Sequence, residues 1–142
     1  MLAGHQHLVE DFKSLMTARR LFPSYIFFGE PSLGKFHFAR HVAAYAETGT
    51  FDIGVRALQD TLIVDGDNGI DAMRHLKAFL WQKPAVSGYR TAIVNNADDL
   101  TIEAQNAILK VAEEPPAHAL LILIVRQPDN LIVPIASRFQ HV

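Results

Sequence analysis

Gly29-Glu30-Pro31-Ser32-Leu33-Gly34-Lys35-Phe36 is the stretch whose residue types and spacing come closest to doing chemistry. A glycine, four residues and then Gly-Lys let a backbone wrap a phosphate with its amides turned inward, while the lysine reaches the outer phosphates. The helix that follows adds the partial positive charge of its N-terminus. The pattern normally closes on Ser or Thr, whose hydroxyl ligates magnesium. Here that position is Phe36, which has no oxygen to offer. Gly29, Gly34 and Lys35 are therefore the candidate phosphate-binding residues of an altered loop, one not expected to hold magnesium-nucleotide productively. The competing reading is a tight strand-to-helix turn that uses the two glycines for backbone geometry alone.

Hydrolysis in such a loop also needs an acid at the end of a buried strand to hold the metal, and usually a second acid beside it to activate water. The apolar run Thr91–Val94 leads into Asn95-Asn96-Ala97-Asp98. An amide neither neutralises a cation nor serves as a base near neutral pH. Asn95 and Asn96 are expected to satisfy backbone groups in a turn, and Asp98 and Asp99 to cap or flank the next one. His37 and His41 stand four apart, a spacing that can hold metal. No third ligand is evident, so they read as packing or solvated residues. The chain has no cysteine, which removes thiolate zinc, iron–sulfur clusters, disulfides and a cysteine nucleophile together. No metal held by protein ligands is expected.

These residues must be carried by alternating strands and helices. The spacing predicts an amphipathic helix over Gln6–Arg20, with Leu8, Phe12, Leu15 and Met16 on one stripe, and a strand at Tyr25–Phe28. A helix over Gly34–Glu47, a connection at Phe51–Gln59 and a strand at Thr61–Val64 follow. Gly69–Gln82 reads as a helix with Ile70, Met73, Leu76 and Leu80 on one face. Arg90–Val94 is a strand, and Ile102–Glu114 a helix capped by Thr101 and stopped by Pro115-Pro116. Leu120–Val125 is a strand and Leu131–Ala136 a short helix. Glu113-Glu114 read as a solvated last turn, and Trp81 and the phenylalanines as core. Such alternation implies a parallel sheet covered by helices on both faces, a three-layer αβα sandwich. Ligands of such sheets lie at the carboxyl ends of the strands, here after Phe28, Val64, Val94 and Val125.

Composition agrees with one domain. The 142 residues are 49% hydrophobic and 20% charged, with a formal charge of −2. That excludes a disordered or low-complexity chain. A freestanding electrostatic DNA binder would be far more basic, so contact with nucleic acid is expected only within a larger assembly. The most apolar run, Ala119–Val125, is far short of the roughly 20 residues of a membrane span. The N-terminus lacks a signal-peptide layout, and the chain reads as cytoplasmic.

Tyr89–Asp98, Glu103-Ala104-Gln105-Asn106-Ala107-Ile108-Leu109-Lys110 and Glu113-Glu114-Pro115-Pro116 together resemble the AAA+ clamp-loader subunits of bacterial DNA polymerase III. Pro128–Leu131 and Ser137-Arg138-Phe139 resemble that family's segment ending in Ser-Arg-Cys, and Gly4–Gln6 with Leu21–Ala39 resemble its opening. The resemblance covers the chain except about residues 44–59. It implies a P-loop NTPase fold of AAA+ type, with residues 1–142 as the nucleotide-binding-type domain and the lid and collar domains absent. Because both metal-ligand positions are altered, it points to the delta-prime branch, whose members are catalytically silent. It implies that Arg138, with Ser137, reaches ATP held by a neighbouring subunit as an arginine finger. The partners implied are the tau/gamma and delta subunits and, through the assembly, the sliding clamp and primer-template DNA. No cofactor is expected, since magnesium-nucleotide lacks its ligands and the four-cysteine zinc module of many relatives is missing. The family's cysteine after the arginine is Phe139 here, and its polar sensor position falls near Val125 and Arg126. The alternative is an active ATPase of tau/gamma type or another P-loop nucleotide-dependent enzyme.

Overall fold

Strand β4 (Ala119–Val125) is buried at every position, as a strand of seven apolar residues must be when helices cover both faces. The computed structural model describes residues 6–17, 23–29, 34–48, 59–66, 69–85 and 88–142. Before β4 come α1 (Gln6–Thr17), β1 (Ser24–Phe28), α2 (Lys35–Thr48), β2 (Thr61–Asp65), α3 (Gly69–Trp81), β3 (Arg90–Asn95) and α4 (Ile102–Glu113). After β4 come α5 (Val133–Arg138) and β5 (Gln140–His141). Short 3₁₀ turns at Ala97–Asp99 and Pro128–Asn130 precede α4 and α5.

The sheet has five strands in the order β2-β3-β4-β1-β5. Every pairing is parallel. Phe28 lies opposite Val125, and Val64 opposite Val94, so the carboxyl ends align along one rim as the sequence requires. Side chains alternate between two apolar layers. Ile26, Ala92, Val94, Leu121 and Leu123 pack towards α3, α4 and α5. Tyr25, Phe27, Ile93, Leu120 and Ile122 pack with Phe12 of α1 and Phe38 of α2. Phe12 meets Tyr25, Phe27 and Phe38 with ring centroids 5.3, 5.9 and 5.7 Å apart, the first pair tilted and the other two edge-to-face, an arrangement that the ring quadrupoles favour.

Local chemistry sets the helix ends. The Thr101 hydroxyl accepts from Ala104 N at 3.1 Å, capping α4. Met73, Leu76 and Leu80 are buried on α3 as the spacing predicts. Trp81 is not core: it is 55% exposed, because it lies about 100° round the helix from Leu80, off the buried stripe. Phe28, at the rim, is also exposed. The side chains of Leu8, Met16 and Ile70 and the expected connection at 51–58 lie outside the described residues. At the amino edge, Arg90 Nη1 pairs with Asp60 Oδ1 at 3.2 Å, both side chains buried. The guanidinium stacks on Phe79, 4.3 Å from its centroid. Asp60 Oδ1 also accepts from Ala85 N at 2.6 Å. No helix among the described residues is long and apolar enough to cross a membrane.

Candidate functional site

At the carboxyl rim a cleft of about 600 Å³ opens between the start of α2 and the ends of β3 and β4. Gly34, Lys35, Phe36, Asn95, Asn96, Asp98 and Arg126 are among its lining residues. The sequence-predicted positions of the altered loop and of the β3 terminus therefore meet in space. Gly29 and Gly34 hold φ values of 137° and 73°, conformations open to glycine and costly for other residues. Residues 30–33 of the loop lie outside the described residues. Lys35 Nζ donates to the carbonyl of Gly29 and, at 3.1 Å, to that of Val125. The lysine thus spans from the loop to the end of β4. Phe36 is half-buried, and the Arg40 guanidinium sits 5.8 Å from its ring centroid.

The β3 terminus departs from expectation in its partners. Asn96 adopts a left-handed conformation, φ 51° and ψ 45°, which asparagine tolerates better than most residues. Its Nδ2 donates to Asp65 Oδ2 at 3.0 Å, a side chain rather than a backbone group of the turn. Gly66 lies so close below that a Cβ there would stand 2.1 Å from Asn96 O. Asp98 and Asp99 form the 3₁₀ turn before α4. Asp98 is also a partner for Arg126: Oδ1 and Oδ2 accept from its backbone N–H at 3.2 and 3.1 Å, and Oδ2 accepts from its Nε at 3.2 Å. Asp65 and the Asp98–Arg126 pair escape a sequence reading because their chain separations are large. Neither Phe36 nor Asn95 or Asn96 supplies an anionic oxygen to the cleft; its lining carboxylates are Asp98 and Asp99.

His37 and His41 stack with ring centroids 4.4 Å apart. The buried His41 bonds through Nδ1 to His37 O at 2.8 Å. Desolvation first, then His41 and Arg40 nearby, hold the His37 imidazole below its ordinary pKa. Among the described residues, no cluster of three or more His, Asp or Glu could hold a metal ion.

Arg138 is not among the cleft's lining residues and lies in the last turn of α5. That helix begins two residues later than the spacing predicts and ends two later, because Pro128–Asn130 turn first and Ile132 is the N-cap. Arg138 is exposed and enters no ion pair among the described residues. Ser137 Oγ donates to Pro134 O at 3.4 Å. Phe139 is buried and, with Ile135, seats the helix against the core. Glu113 ends α4 and Glu114 is exposed.

Residues 4–142 match the family model described as DNA polymerase III, delta subunit. The tau subunit of Bacillus subtilis DNA polymerase III is 26% identical over 99% of this chain and 28% of its own length. The delta′ subunit of Escherichia coli is 37% identical over 49% of this chain and 21% of its own. A DNA polymerase III gamma subunit-related protein of Thermotoga maritima superposes with a TM-score of 0.72 at 27% identity, covering 94% of this chain and 44% of that one. The chain thus spans less than a third of the length of these two curated relatives.

Proposed function

The chain belongs to the DNA polymerase III, delta subunit family, and on that premise we propose that it is a catalytically silent clamp-loader module of the delta-prime kind, which lends Arg138 to the nucleotide site of a neighbouring subunit. The clamp-loader family and the AAA+ fold are established by the comparisons. The observation that carries the finer reading is the β3 terminus: Asn95 and Asn96 stand where an ATPase needs acids, and Asn96 is engaged with Asp65. With amides at both of these positions, positioning alone leaves the barrier to phosphoryl transfer largely in place. Arg138, exposed and free of ion pairs among the described residues, is by contrast available to a second chain. Its planar fork matches the equatorial oxygens of a transferring phosphoryl group. Ser137 flanks it. The partners of this reading are tau/gamma and delta subunits and, through the assembly, the sliding clamp and primer-template DNA.

One observation favours a second reading, an ATPase subunit of tau/gamma type: the tau relative aligns over 99% of the chain, against 49% for delta′. Reconstitution with partner subunits separates the two. The delta-prime reading expects no magnesium-dependent ATP turnover by this chain alone. It expects Arg138→Ala to assemble normally yet lower DNA-stimulated ATPase of the complex, with Arg138→Lys failing to restore it. Robust turnover by the unpartnered chain selects the second reading. Full ATPase and loading by the Arg138→Ala complex removes the finger.

A further inference from the structure

We infer that His141 positions Arg138: its imidazole takes a carbonyl at the end of α5 and ties the arginine-bearing turn to β5, the strand that follows it. The inference rests on the trans role proposed for Arg138 and names a group that aims it. His141 Nε2 lies 2.5 Å from Ala136 O. A carbonyl only accepts, so Nε2 carries the hydrogen. In a longer helix that carbonyl would accept from Gln140 N, four residues on. Gln140 has already left the helix and pairs with Tyr25 in the sheet. Ala136 O is therefore among the carbonyls that a helix end cannot satisfy by itself. An imidazole from the segment beyond the helix is one of the groups that takes such a carbonyl.

A helix of six residues is too short to hold its direction through its own hydrogen bonds. Its start is held at the N-cap, where Gln105 Oε1 accepts from Ile132 N at 2.7 Å. Ile135 and Phe139 seat its buried side, but hydrophobic contact has no direction. The Ala136 carbonyl is where the last turn, with Ser137 and Arg138, meets a side chain from outside the helix. The ring that meets it is itself well held. His141 lies opposite Ile26 in the sheet, and Val142 N donates to Ile26 O at 2.9 Å. Register partners point to the same face, and Ile26 belongs to the layer that holds Ile135 and Phe139, so the imidazole faces α5. Phe28 packs edge-to-face against it, with ring centroids 6.1 Å apart. That gives a use to an aromatic side chain left 43% exposed at the rim. Phe28 directly precedes Gly29, so the arginine's turn and the altered loop lean on the same strand end.

The test uses the reconstituted clamp loader and its DNA-stimulated ATPase, once thermal melting and gel filtration show a folded, assembled complex. His141→Phe keeps a ring against Phe28 and removes the donor. His141→Gln drops the ring and keeps an N–H at a similar reach. A neutral hydrogen bond shifts an equilibrium by roughly two- to tenfold. His141→Phe is therefore expected to lower the maximal rate on the order of fivefold, with the KM for ATP little changed. His141→Gln should stay within about twofold of wild type. The double variant of His141→Phe with Arg138→Ala should be no slower than Arg138→Ala alone. His141→Ala supplies the same comparison if His141→Phe does not assemble. A variant without the donor that keeps wild-type rates, beside an impaired Arg138→Ala, overturns the positioning role and leaves the finger standing. Equal losses in His141→Gln and His141→Phe also overturn it, because the bond would not be what acts. So does a His141→Phe loss of the same size in the Arg138→Ala background, since the effect would not run through the guanidinium. An Arg138→Ala complex with full activity removes both.

Discussion

Removing the Asp98 carboxylate should cost several times more stability than removing the guanidinium it faces. Asp98 accepts twice from the backbone N–H of Arg126 and once from its side chain. Its side chain is 11% exposed, whereas that of Arg126 is 66% exposed. A hydrogen bond to a charged acceptor contributes about 1.5–3 kcal/mol, and an exposed ion pair about 0–1 kcal/mol. Arg126→Ala loses only the second and keeps the N–H bond, so it should cost under about 1 kcal/mol. Asp98→Ala loses both and leaves the N–H at the end of β4 without its acceptor, for roughly 2–3 kcal/mol. At about 2.1 cal/mol/K per residue, a chain of this length shifts by roughly 3 °C for each kcal/mol. Calorimetry or thermal circular dichroism should then show a Tm drop of roughly 6–9 °C for Asp98→Ala and under about 3 °C for Arg126→Ala. Equal drops, or a larger one for Arg126→Ala, would show that the ion pair rather than the backbone bond holds this junction.

Gly66→Ala should destabilise by on the order of 2 kcal/mol or more, because the new Cβ meets Asn96 O at 2.1 Å; a denaturation midpoint unchanged from wild type would mean the β2 and β3 ends part without cost. Asp60→Ala should cost about 3–5 kcal/mol in urea unfolding, since it leaves the buried Arg90 guanidinium without its counter-ion and the Ala85 N–H without its acceptor, and a loss below about 1 kcal/mol would place that pair among the surface ones. His37 should titrate below its ordinary value in an NMR series, because desolvation and the neighbouring His41 and Arg40 disfavour its charged form. The unfolded chain then binds the proton more readily, so stability is fully present above about pH 6.5 and declines as pH falls from there towards the folded midpoint; a His37 midpoint above that of an unfolded peptide would reverse the sign.

The sequence is most legible where one physical rule acts locally. Runs such as Ala119–Val125 announce strands covered on both faces, Thr101 announces its helix, and the alignment of Phe28 with Val125 follows from a parallel sheet. The meeting of the altered loop with Asn95 and Asn96 is legible too, because both follow strand ends on one rim. What escapes is set by contacts between distant segments. Asn96 bonds Asp65, and Asp98 bonds Arg126, across 31 and 28 positions. Gln105 sits inside a recognisable run, but only Ile132 N explains why a glutamine is buried there. Trp81 misleads because its aromatic character suggests core while its angular place on α3 turns it outward. β5 is two residues long, too short for any alternation to register.

The connection from β4 to β5 vaults over β1 and is moored in the sheet at both ends. Upstream it leaves a strand paired to β1 from Leu121 to Val125. Downstream, immediately after Phe139, Gln140 and His141 pair with Tyr25 and Ile26, and Val142 N donates to Ile26 O at 2.9 Å. Arg138 therefore belongs to a short bridge with two footings rather than to a flexible arm. A load applied to its guanidinium by another chain would pass along both footings into the same strand, β1, and the strap would transmit displacement to the sheet instead of absorbing it.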